Sequence, residues 1–168
     1  MSRFPLTLAA VLYCLVATAA GQPAALYSAV EIDRFIADRG VAFPTDYQSA
    51  LVDDIAREIS VEFPTVIALR QGDATPLGHA VLRISAAVTE FKPGSRAKRF
   101  LIGFGVGATV VRARVRFIDA ASGQVVLERE MSGSTWTSVG GGDSQGAADS
   151  LARKIAKFCK SAQLVHSN

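Results

Sequence analysis

The chain has 168 residues, a formal net charge of +3, hydrophobic side chains at 49% of positions and charged ones at 20%. That is enough length for one domain around a single core, and too apolar a composition for a disordered tail. The mild positive charge lacks the concentration that nucleic-acid binders carry, so no nucleic-acid partner is expected.

Residues 1–20 read as a signal peptide. Arg3 precedes an apolar run from Leu6 to Ala20 that ends in Ala17-Thr18-Ala19-Ala20, small residues suited to cleavage after Ala19 or Ala20. The run falls short of the roughly 20 apolar residues that a membrane span needs. Cleavage removes Arg3 and no acid, which lowers the charge from +3 to +2. The expected organisation is a signal peptide at 1–20 and one α+β domain over 21–168, periplasmic or otherwise extracytoplasmic in a bacterial envelope. A lipidated cysteine wants a small residue before it, and Tyr13 precedes Cys14. Membrane association is therefore expected only if Cys14 is lipidated or the N-terminus stays uncleaved. Once the leader is gone Cys159 is the one remaining cysteine, which precludes an intrachain disulfide. Its place on the apolar side of a predicted helix makes it a small buried hydrophobe.

In chain order, Leu26 to Phe35 reads as a first strand, with Leu26, Val30 and Ile32 on one side, and 38–44 as loop. Thr45-Asp46-Tyr47-Gln48 has the spacing of a capping box and opens a helix over 45–60. Its apolar face is Leu51, Val52, Ile55, Ala56 and Ile59, with Asp53, Asp54, Arg57 and Glu58 toward water. Thr65 to Leu69 is a short β-branched run and Gln71 to Gly78 a polar connection. From His79 to Phe91 the residues alternate, Leu82, Ile84, Ala86 and Val88 inward and Arg83, Ser85 and Thr89 outward. A strand antiparallel to the next follows, since the link between them is short.

That link, 92–99, holds Lys92, Arg96, Lys98 and Arg99 and no acid. It is a candidate site for an anionic envelope ligand, a lipid headgroup or polysaccharide, because loops fixed by a sheet often carry function. A solvated basic loop with no ligand is the alternative. Beyond it Gly103, Gly105, Gly107, Thr109, Val111, Ala113, Val115 and Phe117 share one face of a strand, and Arg112, Arg114 and Arg116 the other. Gly103-x-Gly105-x-x-Ala108 nominally fits a dinucleotide fingerprint, but that mechanism needs a helix to open after the glycines, and strand alternation follows instead. The three glycines are better read as a shallow trough under a helix or another backbone.

Asp119-Ala120-Ala121-Ser122-Gly123 forms a turn, with Asp119 suited to capping N–H groups and Gly123 to positive φ. The return strand puts Val125, Leu127 and Met131 on its inner side and Glu128 and Glu130 on its outer side. Pairing Ile118 with Gln124 sets Arg114 opposite Glu128 and Arg112 opposite Glu130. The arginine row then reads either as an anion-binding stripe or as an ion-pair ladder worth roughly 0.2–1 kcal/mol per pair. Trp136 reads as cover at the core edge or an exposed contact. Asp143 or Ser144 can cap a last helix with an apolar stripe of Ala148, Leu151, Ala152, Ile155, Phe158, Cys159 and Ala162, and Arg153, Lys154, Lys157 and Lys160 opposite. His166 falls in a frayed tail.

The Gly94-Ser95-Arg96-x-x-Arg99 segment, the run Gly103-Phe104-Gly105-Val106-Gly107-Ala108 and the turn Asp119-x-x-Ser122-Gly123-x-Val125 together carry a resemblance. The chain resembles a family of bacterial envelope proteins, the domain of unknown function numbered forty-four ten, over about Leu26 to Phe158. The resemblance implies a secreted or lipid-anchored domain, similar in fold to small α/β domains of outer-membrane assembly and secretion accessories. It implies no catalytic residue.

The chain has two histidines, His79 and His166, and no Cys/His set with metal-ligand spacing. No Gly-x-Ser-x-Gly elbow occurs, and any Ser–His–Asp set would need His79. The carboxylate pairs Asp53-Asp54 and Glu128/Glu130 fall on a solvated helix face and opposite arginine. Neither a metal nor a cofactor is expected. The expected fold is a two-layer α+β sandwich, a four- or five-stranded mostly antiparallel sheet with two helices on one face. The expected function is a non-enzymatic module that binds an envelope protein or assembles with itself. Anion binding through 92–99 is the alternative, and a small hydrolase a remote one.

Overall fold

The computed structural model describes residues 27–94, 108–135 and 145–166. They form β1 (Ala29–Ala37), α1 (Thr45–Glu62), β2 (Ile67–Arg70), β3 (Val81–Lys92), β4 (Val110–Asp119), β5 (Val125–Ser134) and α2 (Gln145–Ser161). One five-stranded sheet, in the order β2-β1-β3-β4-β5, carries both helices on a single face. This is the two-layer α+β arrangement expected. The sheet, however, is mixed rather than mostly antiparallel. β1 runs parallel to both β2 and β3, and only β3–β4 and β4–β5 are antiparallel. The parallel half arises from two crossovers, α1 between β1 and β2 and the connection 71–80 that carries the chain past β1 to β3, each of which returns the chain in its original direction as a hairpin cannot.

Alternation explains the core. Val30, Ile32, Leu82, Ile84, Ala86, Val88, Val111, Ala113, Val115 and Phe117 are all buried, and Leu51, Ile55, Ile59, Leu151, Ile155 and Cys159 press on them from the helices. Phe35, Phe63 and Phe117 are among the largest fully buried side chains. A phenylalanine of this kind stabilises by roughly 3–5 kcal/mol relative to alanine. Salt bridges tie the helices together, Arg57 to Asp149 at 2.9 Å and Lys160 to Glu62 at 2.6 Å. No helix among the described residues is long and apolar enough to cross a membrane.

Three local expectations are corrected. The helix does start at Thr45, but Thr45 is not its cap. Pro44, extended at φ −63° and ψ 145°, precedes the first turn, no side chain caps it, and the Gln48 amide donates to the Phe43 carbonyl at 3.2 Å. The proline ring presets the entry φ and its carbonyl takes up the Tyr47 and Gln48 N–H groups, so a hydroxyl cap is not required. His166 is not in a frayed tail. Val165 bridges Tyr27 in parallel, the His166 N–H donates to the Tyr27 carbonyl at 3.1 Å, and Leu164 and Val165 are buried.

The third correction is the hairpin register. Arg114 pairs with Glu130 and Arg116 with Glu128, two residues away from the expected alignment. The turn supplies one residue of the slip and a β-bulge between Phe117 and Ile118 the other, since Ile118 pairs with Val125 while Phe117 pairs with Leu127. The turn is set by Asp119, whose carboxylate accepts from the Ser122 N–H and hydroxyl, both at 2.7 Å, while Gly123 takes φ +71°. A two-residue slip preserves side-chain parity, so the buried and exposed faces are unchanged.

Candidate interaction surface

The sheet face turned away from the helices is lined by charge. Odd residues of β1, Glu31 and Asp33, lie beside Arg83 of β3. Arg112, Arg114 and Arg116 of β4 follow, then Glu128 and Glu130 of β5. Each of these arginines has a carboxylate. Arg83 Nε reaches Glu31 at 2.9 Å and Asp33 at 3.9 Å. Arg112 stands between Glu90 at 3.4 Å and Glu130 at 3.6 Å. Arg116 holds one oxygen of Glu128 at 2.7 Å, and Arg114 approaches the other at 4.0 Å. The pairs read from the sequence, Arg112 with Glu130 and Arg114 with Glu128, are thus made, but diagonally across the shifted register. Arg116, given no partner there, makes the shortest contact of the row.

Electrostatics follow the neighbours. Lys92 pairs with Glu90 and, by that hydrogen bond first, holds its carboxyl below the ordinary range, with Arg112 adding to the fall. Burial pushes the Asp33 carboxyl up against the pull of Arg83, and Glu31 adds to the rise. At the hairpin end, the Ser122 hydroxyl and N–H and the Tyr27 hydroxyl keep the Asp119 carboxyl low. In return, burial and the same bond to Asp119 raise the Tyr27 phenol to about 12.

Of the candidate ligand-binding residues, Lys92, Arg112, Arg114 and Arg116 lie in this network, on adjoining strands. Arg96, Lys98, Arg99 and the glycines Gly103, Gly105 and Gly107 lie outside the described residues, as do Trp136, Asp143, Ser144 and the leader with Cys14. The row is an ion-pair ladder in its geometry, and an anion reaching it would have to displace Glu90, Glu128 or Glu130.

β5 is the sheet's long edge. Its ten residues present one row of N–H and C=O groups to β4 and the other to no strand among the described residues. Val125 and Val126, at the hairpin end, are 52% and 42% exposed. The strand is fixed from behind by α2. Lys154 donates to the Ser132 carbonyl at 2.6 Å, and the Arg129 guanidinium lies 4.8 Å over the Phe158 ring. Gly133, absent from the residues that the sequence marks as a trough, lies against the backbone of α2 at Ala147 and Leu151. An isolated glycine inside a strand is the signal that could have found it.

A family model described as a domain of unknown function, DUF4410, matches residues 38–138. No curated protein matches the chain. Among solved structures, a point variant of the PelC dodecamer from Paraburkholderia phytofirmans is similar at a TM-score of 0.58 and 18% identity, over 87% of this chain and 95% of that one. The PelC dodecamer in a second crystal form follows at 0.52 and 17%, over 80% and 90%. A Xanthomonas campestris protein is similar at 0.52 and 11%, over 86% and 89%. These likenesses are of fold.

Proposed function

The chain belongs to the DUF4410 family, and from that premise we propose that it is a non-enzymatic module of the bacterial envelope that assembles with copies of itself through its sheet. The leader-like residues 1–20 support export. The observation that carries the reading is the β5 edge, ten residues long, left without a strand partner among the described residues and bearing two exposed valines at one end. Such an edge is a template for pairing with another chain unless it is covered.

The charge order of β5 restricts the registers in which two such edges can pair. A two-fold pairing centred on Arg129 would oppose Arg129 with itself and Glu128 with Glu130, and one centred on Glu130 would oppose that residue with itself. Like charges directly opposite destabilise a strand pair. Pairings centred on Leu127 or Met131 avoid these oppositions, so a two-fold contact between edges is confined to those registers; an edge that instead meets a different surface of the next copy makes head-to-tail contacts, which close into rings or run on as filaments. The PelC structures of this fold are themselves dodecamers, which supports the reading by analogy of fold. Native mass spectrometry of the purified chain tests it. An assembly larger than a dimer is expected, broken down by Val126→Lys at unchanged melting temperature. A monomer at all concentrations would sink the proposal.

A further inference from the structure

A second feature lies away from the β5 edge, at the other side of the sheet. β1 and β2 run parallel, and at their carboxyl ends, beneath the first turns of α1, the fold leaves a cleft of about 320 Å³. Clefts at the carboxyl ends of parallel strands are where open α/β sheets place their ligands, and this volume lies at the small end of ligand pockets.

The side chains make the cleft selective. Ile32 and Val52 give it an apolar floor, both buried. Thr45, Ser49, Gln48 and Gln71 contribute hydroxyl and amide groups. Two guanidiniums line it, Arg34 and Arg70, against one carboxylate, Asp53. The strand is irregular at this point. One extra residue of β1 is accommodated between Ile32 and Phe35, whose partners on β3 are Ile84 and Ala86. The bulge holds Arg34 and is the reason an exposed arginine lines this cleft although Phe35 beside it is buried. Among the described residues Arg34 has no ion-pair or side-chain hydrogen-bond partner, unlike Arg83 and the three arginines of β4. Arg70 donates to Asp53 Oδ1 through Nε at 2.9 Å and Nη2 at 2.7 Å, but both side chains are more than half exposed, so a ligand anion exchanges for Asp53 at little cost.

We propose that this cleft binds a small hydroxylated organic anion, of the size of a sugar acid or sugar phosphate. Its carboxylate or phosphate would sit between Arg34 and Arg70, and its hydroxyls would meet Thr45, Ser49, Gln48 and Gln71. The charge balance decides against a cation, and the ring of hydroxyl and amide groups decides against a purely apolar guest. The planar guanidinium fork suits either oxyanion. This site shares no residue with the proposed assembly edge, so the two readings fail separately.

Isothermal titration calorimetry on the intact chain tests it, with glucuronate and glucose 6-phosphate as the two anionic probes and glucose as the neutral one. Binding of either anion but not of glucose is expected, and which anion binds identifies the carboxylate or the phosphate as the group recognised. Arg34→Gln should weaken that binding by about tenfold or more, with Arg34→Lys intermediate, because a charge-assisted pair is lost and then partly restored. Among the described residues Arg34 makes no ion pair or side-chain hydrogen bond, and it is exposed, so its variant should melt as the parent does. Arg70→Gln is the second variant and should weaken binding likewise. The proposal is overturned if neither anion binds, if glucose binds equally well, or if both glutamine variants bind as the parent does.

Discussion

Gly133→Ala tests how closely α2 is laid on β5. A methyl group at this position would overlap the Ala147 carbonyl oxygen and stand 2.6 Å from the Leu151 nitrogen and 2.8 Å from its Cβ. The obstructing atoms are mainly helix backbone, which cannot turn aside as a side-chain tip can. Carbon contacts settle near 3.5–4.0 Å, so α2 must withdraw by about 1 Å. Its withdrawal loosens Leu151 and Ile155, both fully buried. Overpacking of this kind costs about 1–3 kcal/mol, and a clash with backbone belongs at the upper end. The gain from a stiffer unfolded chain, roughly 0.4–1 kcal/mol, opposes the loss without reversing it. Since 1 kcal/mol moves the melting point of a domain this size by about 2–4 °C, the variant should melt some 4–10 °C lower by circular dichroism. Its urea midpoint should fall at an unchanged m-value. Gly146→Ala is the control, because there a methyl meets only the Thr135 methyl at 3.4 Å, and its melting temperature should hold or rise. If Gly133→Ala melts with the parent, the close approach of α2 is wrong.

Further tests address the turn and the thiol. Gly123→Ala should destabilise by about 1 kcal/mol, because φ is +71° there although the space around it is open; an unchanged urea midpoint would contradict that backbone conformation. Ser122→Ala removes the leading cause of the low Asp119 carboxyl. A carboxylate held low stabilises the fold above its unfolded value of 3.8 and loses that contribution as pH falls through its lower folded value. The stability gap between parent and variant should therefore be present at neutral pH and close as acid is added below 3.8; a gap independent of pH would refute the assignment. Burial raises the Cys159 thiol to about 12, so a disulfide reagent at neutral pH should label it only as fast as the chain unfolds, and immediate labelling would show the helix face to be open.

Local pattern carried much of this fold. The alternation from Val111 to Phe117 and from Leu82 to Val88, and the 3.6-residue stripe of α1, each state which side is buried, because burial acts on single side chains at fixed spacing. Sheet order is a different kind of information. Nothing near β1 marks it as parallel to two neighbours, since that depends on where a crossover helix lands. The hairpin register escaped for a related reason. Both alignments keep Arg112, Arg114 and Arg116 on the solvent face and within reach of Glu128 and Glu130, so charge and hydrophobicity do not distinguish them; the bulge at the hairpin does. Arg34 was not singled out because a bulge in β1, invisible in composition, places it at the cleft. Gly133 did carry a signal, as an isolated glycine inside a strand, whereas the glycines at 103, 105 and 107, on which the trough was read, lie outside the described residues.

Hydrogen exchange on β5 as a function of protein concentration tests the assembly most directly. Amides of Leu127 to Met131 should gain protection as the chain is concentrated, while those of the central strand β3 should not change. Exchange on β5 that stays the same from dilute to concentrated solution would contradict it.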